Sequence, residues 1–410
     1  MGAGAGEGTH VLAEVVREEG TRVLATLVRV IGDIDLAQDA AQDAMVRALE
    51  TWPRDGVPDN PRAWLLVTAK RRAIDVIRRE TRRVGKEAEA VTFVDPVPEP
   101  TEVLHDDLLR LVFTCCHPCL ALEAQVALAL RTLGGLSTAE VARALMVPEA
   151  TMAKRLTRAK QKIAQARIPY RVPAADELPE RLAGVAATVY LIFNEGYTAG
   201  TGAELVRGTL TGEAVRLARL LAALMPDEPT VLGLLALLLL QDARRGTRVD
   251  DEGHALLLKD QDRTRWDAAA IKEGVELVGR ALRRTPDRPD GYVVQAAIAA
   301  CHALAPSYAE TNWDAVISWY DVLLSLRDAP VVRLNRAAAV AERDGAVAGL
   351  ALVDAIDGLE AYPWWHATRA ELLRRTGQAE TARAAYERAV ALGMNEPHVE
   401  HLRRRITELD

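Results

Sequence analysis

The spacing of apolar residues sets most of the architecture. After Pro179 they recur at three- and four-residue intervals, interrupted at Thr285–Pro289, Asp328–Pro330 and Tyr362–Pro363, which predicts a long succession of helices. Upstream, residues 60–83 read NPRAWLLVTAKRRAIDVIRRETRR. Asn60 stands as an N-cap and Pro61 at the first helical position. At 100° per residue Leu65, Leu66, Val67, Ala69, Ala73, Val76 and Ile77 gather on one arc, the core face. Trp64, Thr68, Arg71, Arg72, Asp75, Arg78 and Arg79 gather on the opposite one. Residues 137–163 predict a helix-turn-helix. Ser137 and Glu140 form a capping box, and Val141, Ala142 and Leu145 give the first helix its apolar side. Met146, Val147 and Pro148 make the turn. The second helix opens at Glu149 with Met152, Leu156, Ala159 and Ile163 on one stripe. The fold class expected is all-α.

Two interruptions divide the chain. In VTFVDPVPEPTE, residues 91–102, proline at every second position excludes helix and central strand, so the segment reads as an extended tether. Three prolines at Ile168–Pro179 mark a second boundary. Near the C-terminus Asn335–Ile356 resembles Thr368–Val390, with Gly345 and Gly377 in the same place. Helix, glycine turn, helix and a late aromatic (Tyr386) at a period near 34 is the tetratricopeptide pattern.

Composition agrees with helices: 49% of the 410 residues are hydrophobic but only 4% aromatic. The four cysteines cannot form a disulfide scaffold, and three crowd at Cys115, Cys116 and Cys119, as in a cytoplasmic protein. The opening MGAGAGEGTH lacks the basic and apolar regions of a signal peptide, and the longest uncharged apolar run, Pro229–Gln241, is short of a membrane span. Secretion and membrane association are therefore not expected.

The formal charge of −7 argues at first against nucleic acid, until it is divided by position. Residues 1–59 carry −6, residues 60–86 carry +7, residues 87–130 carry −7 and residues 131–167 carry +6. Both basic blocks coincide with the two helical units. On the first, an indole among arginines can stack on an exposed base while the guanidiniums hold phosphates. Equally, Trp64 can pack against a neighbouring helix above a solvated basic face. On the second, Thr151, Lys154, Arg155, Arg158 and Lys162 converge opposite the apolar stripe, the face a recognition helix offers to the major groove.

Other clusters carry weaker chemistry. Cys115, Cys116, His117 and Cys119 invite a zinc or redox reading. Adjacent cysteines do not readily meet one metal, and no second Cys/His pair lies nearby, so the alternative has Pro118 opening a helix with the thiols as small apolar residues. Asn194–Tyr197 and Asp260–Arg263 suggest carboxylate chemistry, but loop capping and ion pairs explain them as well. No catalytic residue, metal or cofactor is expected.

Taken in order, these motifs resemble an extracytoplasmic-function sigma factor of the sigma-70 family, the promoter-reading subunit of bacterial RNA polymerase. IDLAQDAAQDAMVRALETW, residues 34–52, is similar to the helix that docks on the polymerase clamp, with Asp39, Gln42 and Asp43 in the matching positions. NPRAWLLVTAKRRAIDVIRR resembles the helix that melts and reads the minus-ten element. The resemblance places Trp64 at its aromatic wedge, Asn60 at the end of the loop that receives a flipped base, and Arg71, Arg72, Arg78 and Arg79 on DNA. Residues 135–163 resemble the region 4 helix-turn-helix that reads the minus-35 element. Met146 departs from the usual turn glycine, and Arg71 stands where asparagine is common.

The remainder, including Phe113–Pro118, Thr188–Ala199 and Leu258–Trp266, is similar to a subgroup with a long tetratricopeptide-like extension. The resemblance implies region 2 in residues 1–88, an acidic linker in 89–103 and region 4 in 104–170. A regulatory helical domain would occupy 171–410, its repeats clearest over 310–410. It implies as partners core RNA polymerase at its clamp and flap, double-stranded and melted promoter DNA, and a peptide or protein for the extension. The acidic linker would lie in the nucleic-acid channel as a mimic of RNA, and the extension would either clamp the two regions or support them. The other classes are a DNA-binding regulator with a tetratricopeptide sensor that never enters polymerase, and a tetratricopeptide scaffold.

Overall fold

The computed structural model describes residues 19–84, 101–145, 147–197, 208–250, 254–394 and 396–409. Among these the chain is α-helical, with eighteen α-helices and no strand beyond an isolated Val249–Ala255 bridge. It divides into two compact units, Met1–Thr188 and Val189–Asp410.

The first unit opens with α1 (residues 19–31) and α2 (Ile34–Asp55). The Asp33 side chain accepts the Leu36 N–H to start α2, and Gly56, at φ 84°, ends it. The buried side of α2 is almost all alanine, Ala37, Ala40, Ala41, Ala44 and Ala48, closed by Trp52. Against these small side chains packs α3 (Pro61–Val84), which buries Leu65, Leu66, Ala69 and Ala73. Val67, Val76 and Ile77, expected on the same arc, are half-buried at its edges. Next come α4 (Thr101–Cys115), α5 (Leu122–Thr132), α6 (Thr138–Ala144) and α7 (Glu149–Gln165). Apart from Thr101–Val103, the residues expected to form the acidic tether lie outside the described residues, as does Met146 of the expected turn.

One expectation needs correcting. Pro118 opens no helix: α4 ends at Cys115 and α5 begins at Leu122, so Pro118 lies in the turn between them. The turn is held by Gln125, whose side-chain amide donates to the carbonyls of His117 (3.2 Å) and Leu120 (2.9 Å). Fixing two carbonyls from one buried side chain takes the place of a regular helix start.

The unit boundary falls within α8 (Leu178–Tyr197). In the first unit, Arg181 donates to the Phe113 carbonyl (2.6 Å) and the Thr188 hydroxyl to Gln125 Oε1 (3.1 Å). The second unit is built on α9 (Gly208–Leu224), α10 (Pro229–Asp242), α11 (Ala268–Arg284) and α12 (Gly291–Leu304). The apolar run at Pro229–Gln241 is the core helix α10. Val231 through Leu240 are all buried, as a helix apolar on every side requires in water. Among the described residues no helix is long and apolar enough to cross a membrane.

Helices α13 (Trp313–Leu326) through α18 (Glu396–Thr407) follow as antiparallel neighbours: α14 (Pro330–Asp344) with α15 (Ala346–Asp354), and α16 (Pro363–Arg375) with α17 (Ala379–Ala391). The two glycines aligned in the sequence repeat fall at equivalent turns with positive φ, Gly345 at 97° and Gly377 at 77°. Only glycine adopts that backbone without strain.

Candidate nucleic-acid interface

Helix α3 starts as its sequence requires, with the Asn60 side chain accepting the Ala63 N–H at 3.0 Å. Its exposed side carries Arg71, Arg72, Arg78 and Arg79. Trp64 packs against a neighbouring helix, as one reading of the sequence has it, without being buried. It meets buried Trp52 edge to face, ring centroids 5.6 Å apart at 67°, and stays half-exposed beside the arginines. This face is partly engaged within the chain: Arg72 Nε is ion-paired with the Asp43 carboxylate of α2, and Arg79 Nε donates to the Asp75 carbonyl at 3.1 Å.

Asp39, Gln42 and Asp43 are exposed on α2, and their three- and four-residue spacing puts them on one face. That face continues into Val46 and Leu49, 48% and 46% exposed. The sequence reading missed these two. Their signal was present, since both fall off the alanine stripe that α3 covers.

The helix-turn-helix forms as its capping pattern dictates. Ser137 Oγ accepts the Glu140 N–H (3.2 Å) and Glu140 Oε2 accepts the Ser137 N–H (2.7 Å). These hydrogen bonds hold the Glu140 carboxyl below its usual range. Past the turn, Met152, Leu156, Ala159 and Ile163 of α7 are buried together. Thr151, Lys154, Arg158 and Lys162 are exposed on the other side, with Arg155 half-exposed. These five side chains rim a cleft of about 370 Å³ floored by Leu120, Ala121 and Ala124. Among the described residues none of Lys154, Arg155, Arg158 or Lys162 is ion-paired within the chain. A helix face with four unneutralised cations around an apolar floor can hold phosphate oxygens while small side chains approach base edges.

Residues 15–83 match sigma-70 region 2 and residues 110–163 match sigma-70 region 4. The chain belongs to the sigma-70 family. Sigma-70 region 2 thus covers α2 and nearly all of α3, and region 4 runs from within α4 to within α7. As a sigma factor the protein acts in promoter recognition and transcription initiation, binding core RNA polymerase and promoter DNA.

Residues 181–282 match a family of unknown function (DUF6596). An uncharacterized protein of Rhizobium meliloti (strain 1021) is 43% identical over 389 residues, covering 93% of this chain and 92% of that protein. The relationship therefore extends well past the sigma regions into the C-terminal unit.

Cys115 and Cys116 are fully buried, and burial pushes both thiols up, Cys116 to about 12. Among the described residues no group of three His, Cys, Asp or Glu side chains is placed to hold a metal. In the second unit, Asp262 caps a short 3₁₀ turn through the Thr264 N–H (2.9 Å). Arg263 donates to the His302 and Ala305 carbonyls and lies over the Trp266 ring.

Proposed function

We propose that this sigma factor is of the extracytoplasmic-function type, organised as region 2 (1–88), linker (89–103), region 4 (104–170) and a tetratricopeptide-like regulatory domain (171–410). It docks on the polymerase clamp through Asp39, Gln42 and Asp43 of α2. With Asn60, Trp64, Arg71, Arg72, Arg78 and Arg79 it opens and reads the minus-ten element, and with Thr151, Lys154, Arg155, Arg158 and Lys162 it reads the minus-35 element. The observation that carries this reading is the segregated face of α7, four cations without ion pairs opposite a fully buried stripe.

Opening the duplex needs binding energy rather than bond chemistry. Unstacking costs a few kcal/mol per step and is offset by stacking flipped bases on aromatic side chains. Trp64, half-exposed among guanidiniums, is the aromatic on this face of α3. The C-terminal domain acts in cis and is required for activity.

The test is a chain ended after Thr188, which preserves the Arg181 and Thr188 hydrogen bonds within the first unit. It is expected to co-purify with core polymerase and to lose promoter-directed transcription. A gain in transcription would make the extension an inhibitor instead. Failure of the full-length chain to co-purify would favour a DNA-binding regulator outside polymerase.

A further inference from the structure

In the second unit the arginines that least need a counter-charge have one. Exposed Arg219, Arg333 and Arg343 each hold a carboxylate, those of Glu273, Asp328 and Asp314. Three others lie deeper, Arg244 and Arg263 half-buried and Arg248 buried. Among the described residues neither Arg244 nor Arg263 has a carboxylate within ion-pair distance.

All three belong to the segment between α10 and α11, and they gather at the ends of α8 and α12. The guanidinium carbons of Arg244 and Arg248 lie 5.7 and 3.8 Å from the centre of the Tyr197 ring, and Arg248 donates to the Tyr197 carbonyl. Arg263 Nη1 donates to the carbonyls of His302 and Ala305, and its guanidinium lies 4.7 Å from the centre of the Trp266 ring. The His302 ring meets Trp313 edge to face with centroids 5.5 Å apart.

This gathering leaves polar atoms unused. Arg263 Nη2, His302 Nδ1 and the Tyr197 hydroxyl are buried and make no hydrogen bond. Burial and, beyond it, the repulsion of Arg244 hold the Arg248 and Arg263 guanidiniums below their usual range. Burial, Arg244 and Arg263 push the His302 imidazole down to about 4, so it is neutral at pH 7. Tyr308 lies beside Arg263 and is bonded to Glu342, but that carboxylate is already held by Arg375 at 2.5 Å. Guanidiniums drawn together away from water are unfavourable until a counter-charge meets them.

We propose that Arg244, Arg263 and His302 form a binding site for a small oxyanion, the phosphate or carboxylate group of a soluble metabolite. Guanidiniums present paired N–H donors at the spacing of two anion oxygens. A neutral imidazole carrying its proton on Nδ1 adds a third donor. The Tyr197 and Trp266 rings hold the guanidiniums in place. Donors buried at Arg263 and His302 are out of reach of a nucleic-acid backbone or a folded partner, while half-buried Arg244 leaves an approach for a small ion. The site lies wholly within the second unit and does not rest on the function proposed above.

The test is isothermal titration calorimetry on the full chain with inorganic phosphate, pyrophosphate and malonate, at an ionic strength held constant with sodium chloride. Saturable binding of at least one anion is expected at millimolar concentration or below, and the anion that saturates tells phosphate from carboxylate. Arg244→Gln should weaken that binding about tenfold or more, the worth of a hydrogen bond to a charged group. It also relieves the repulsion, so the free variant should melt no lower than wild type. His302→Phe keeps the ring beside Trp313 and removes the donor, and should weaken binding as well. Arg219→Gln, which breaks an exposed pair, should leave binding unchanged. Absence of saturable binding by all three anions would overturn the site. So would equal binding by wild type, Arg244→Gln and His302→Phe, which would put the anion elsewhere. Loss of binding together with a lower melting temperature in both variants would make the cluster structural. Heat reproduced by chloride alone would mean an adventitious ion only.

Discussion

The two basic helices of the first unit are alike in composition and differ in what they touch. On α7 the cations Lys154, Arg155, Arg158 and Lys162 have no ion pair among the described residues. On α3, Arg72 is paired with Asp43 and Trp64 rests its edge on Trp52. A free cationic face binds duplex phosphate with little rearrangement. A partly engaged one must first exchange internal partners for DNA. The difference matches the proposed division of labour, in which α7 reads intact duplex and α3 acts only when strands are being separated.

The comparison can be broken most severely at α7. Replacing Lys154, Arg155, Arg158 and Lys162 together by Gln should weaken binding to minus-35 duplex on the order of 10²–10³-fold and flatten the salt dependence of log K by about 3 to 4. Fluorescence anisotropy across a salt series measures both. An unchanged slope would mean that these side chains do not meet phosphate.

On α3, Trp64→Ala should reduce open-complex formation by about tenfold or more, the worth of one stacked base, with polymerase binding retained. Permanganate reactivity of promoter thymines equal to wild type would remove Trp64 from strand opening. Losing the edge contact with Trp52 should also cost about 0.5–1.5 kcal/mol of stability, so a melting curve accompanies the assay.

A smaller effect tests the pairing itself. Asp43→Asn frees Arg72 and should tighten binding of the free chain to single-stranded minus-ten DNA about two- to fivefold. Its effect on stability should stay below about 1 kcal/mol, because both partners are nearly half exposed, 44% and 48%. No gain in binding would make the pair irrelevant to DNA.

The smallest effect lies at the capping box. Glu140→Ala should raise amide exchange in α6 about fivefold at pH 7, as loss of a cap interaction implies. The folded carboxyl is held below its usual range by Ser137, so its contribution is present above the ordinary carboxylate range and is lost as pH falls through the lowered value. The difference between variant and wild type should therefore close only once the pH has fallen below the ordinary carboxylate range and through that lowered value. A difference that persisted there would assign it to helix propensity.

Much of this was legible in the sequence because it is local. The Asn60 cap, the Ser137–Glu140 box, the buried stripe of α7 and the turns at Gly345 and Gly377 are each set by residues within one or two helical turns. What escaped reading depends on which helices meet. Nothing in the spacing of Asp43 and Arg72 shows that α2 and α3 bring them together, and nothing local marks Lys160 as the cation that turns inward while its neighbours face out. Pro118 misled for a related reason. A proline can open a helix or sit in a turn, and the choice is made here by Gln125, seven positions on. Val46 and Leu49 illustrate the remaining limit, since periodicity separates two faces of α2 without saying which surface meets a partner.

Run-off transcription, using purified core polymerase and a library of genomic fragments, with and without the full-length protein, decides whether the chain initiates at promoters. Discrete transcripts are expected only with the protein, from templates sharing two elements at minus-ten and minus-35 spacing, and are expected to be lost when Trp64 is replaced by Ala. Transcripts unchanged by the protein, while it still binds the same DNA on its own, would contradict that expectation.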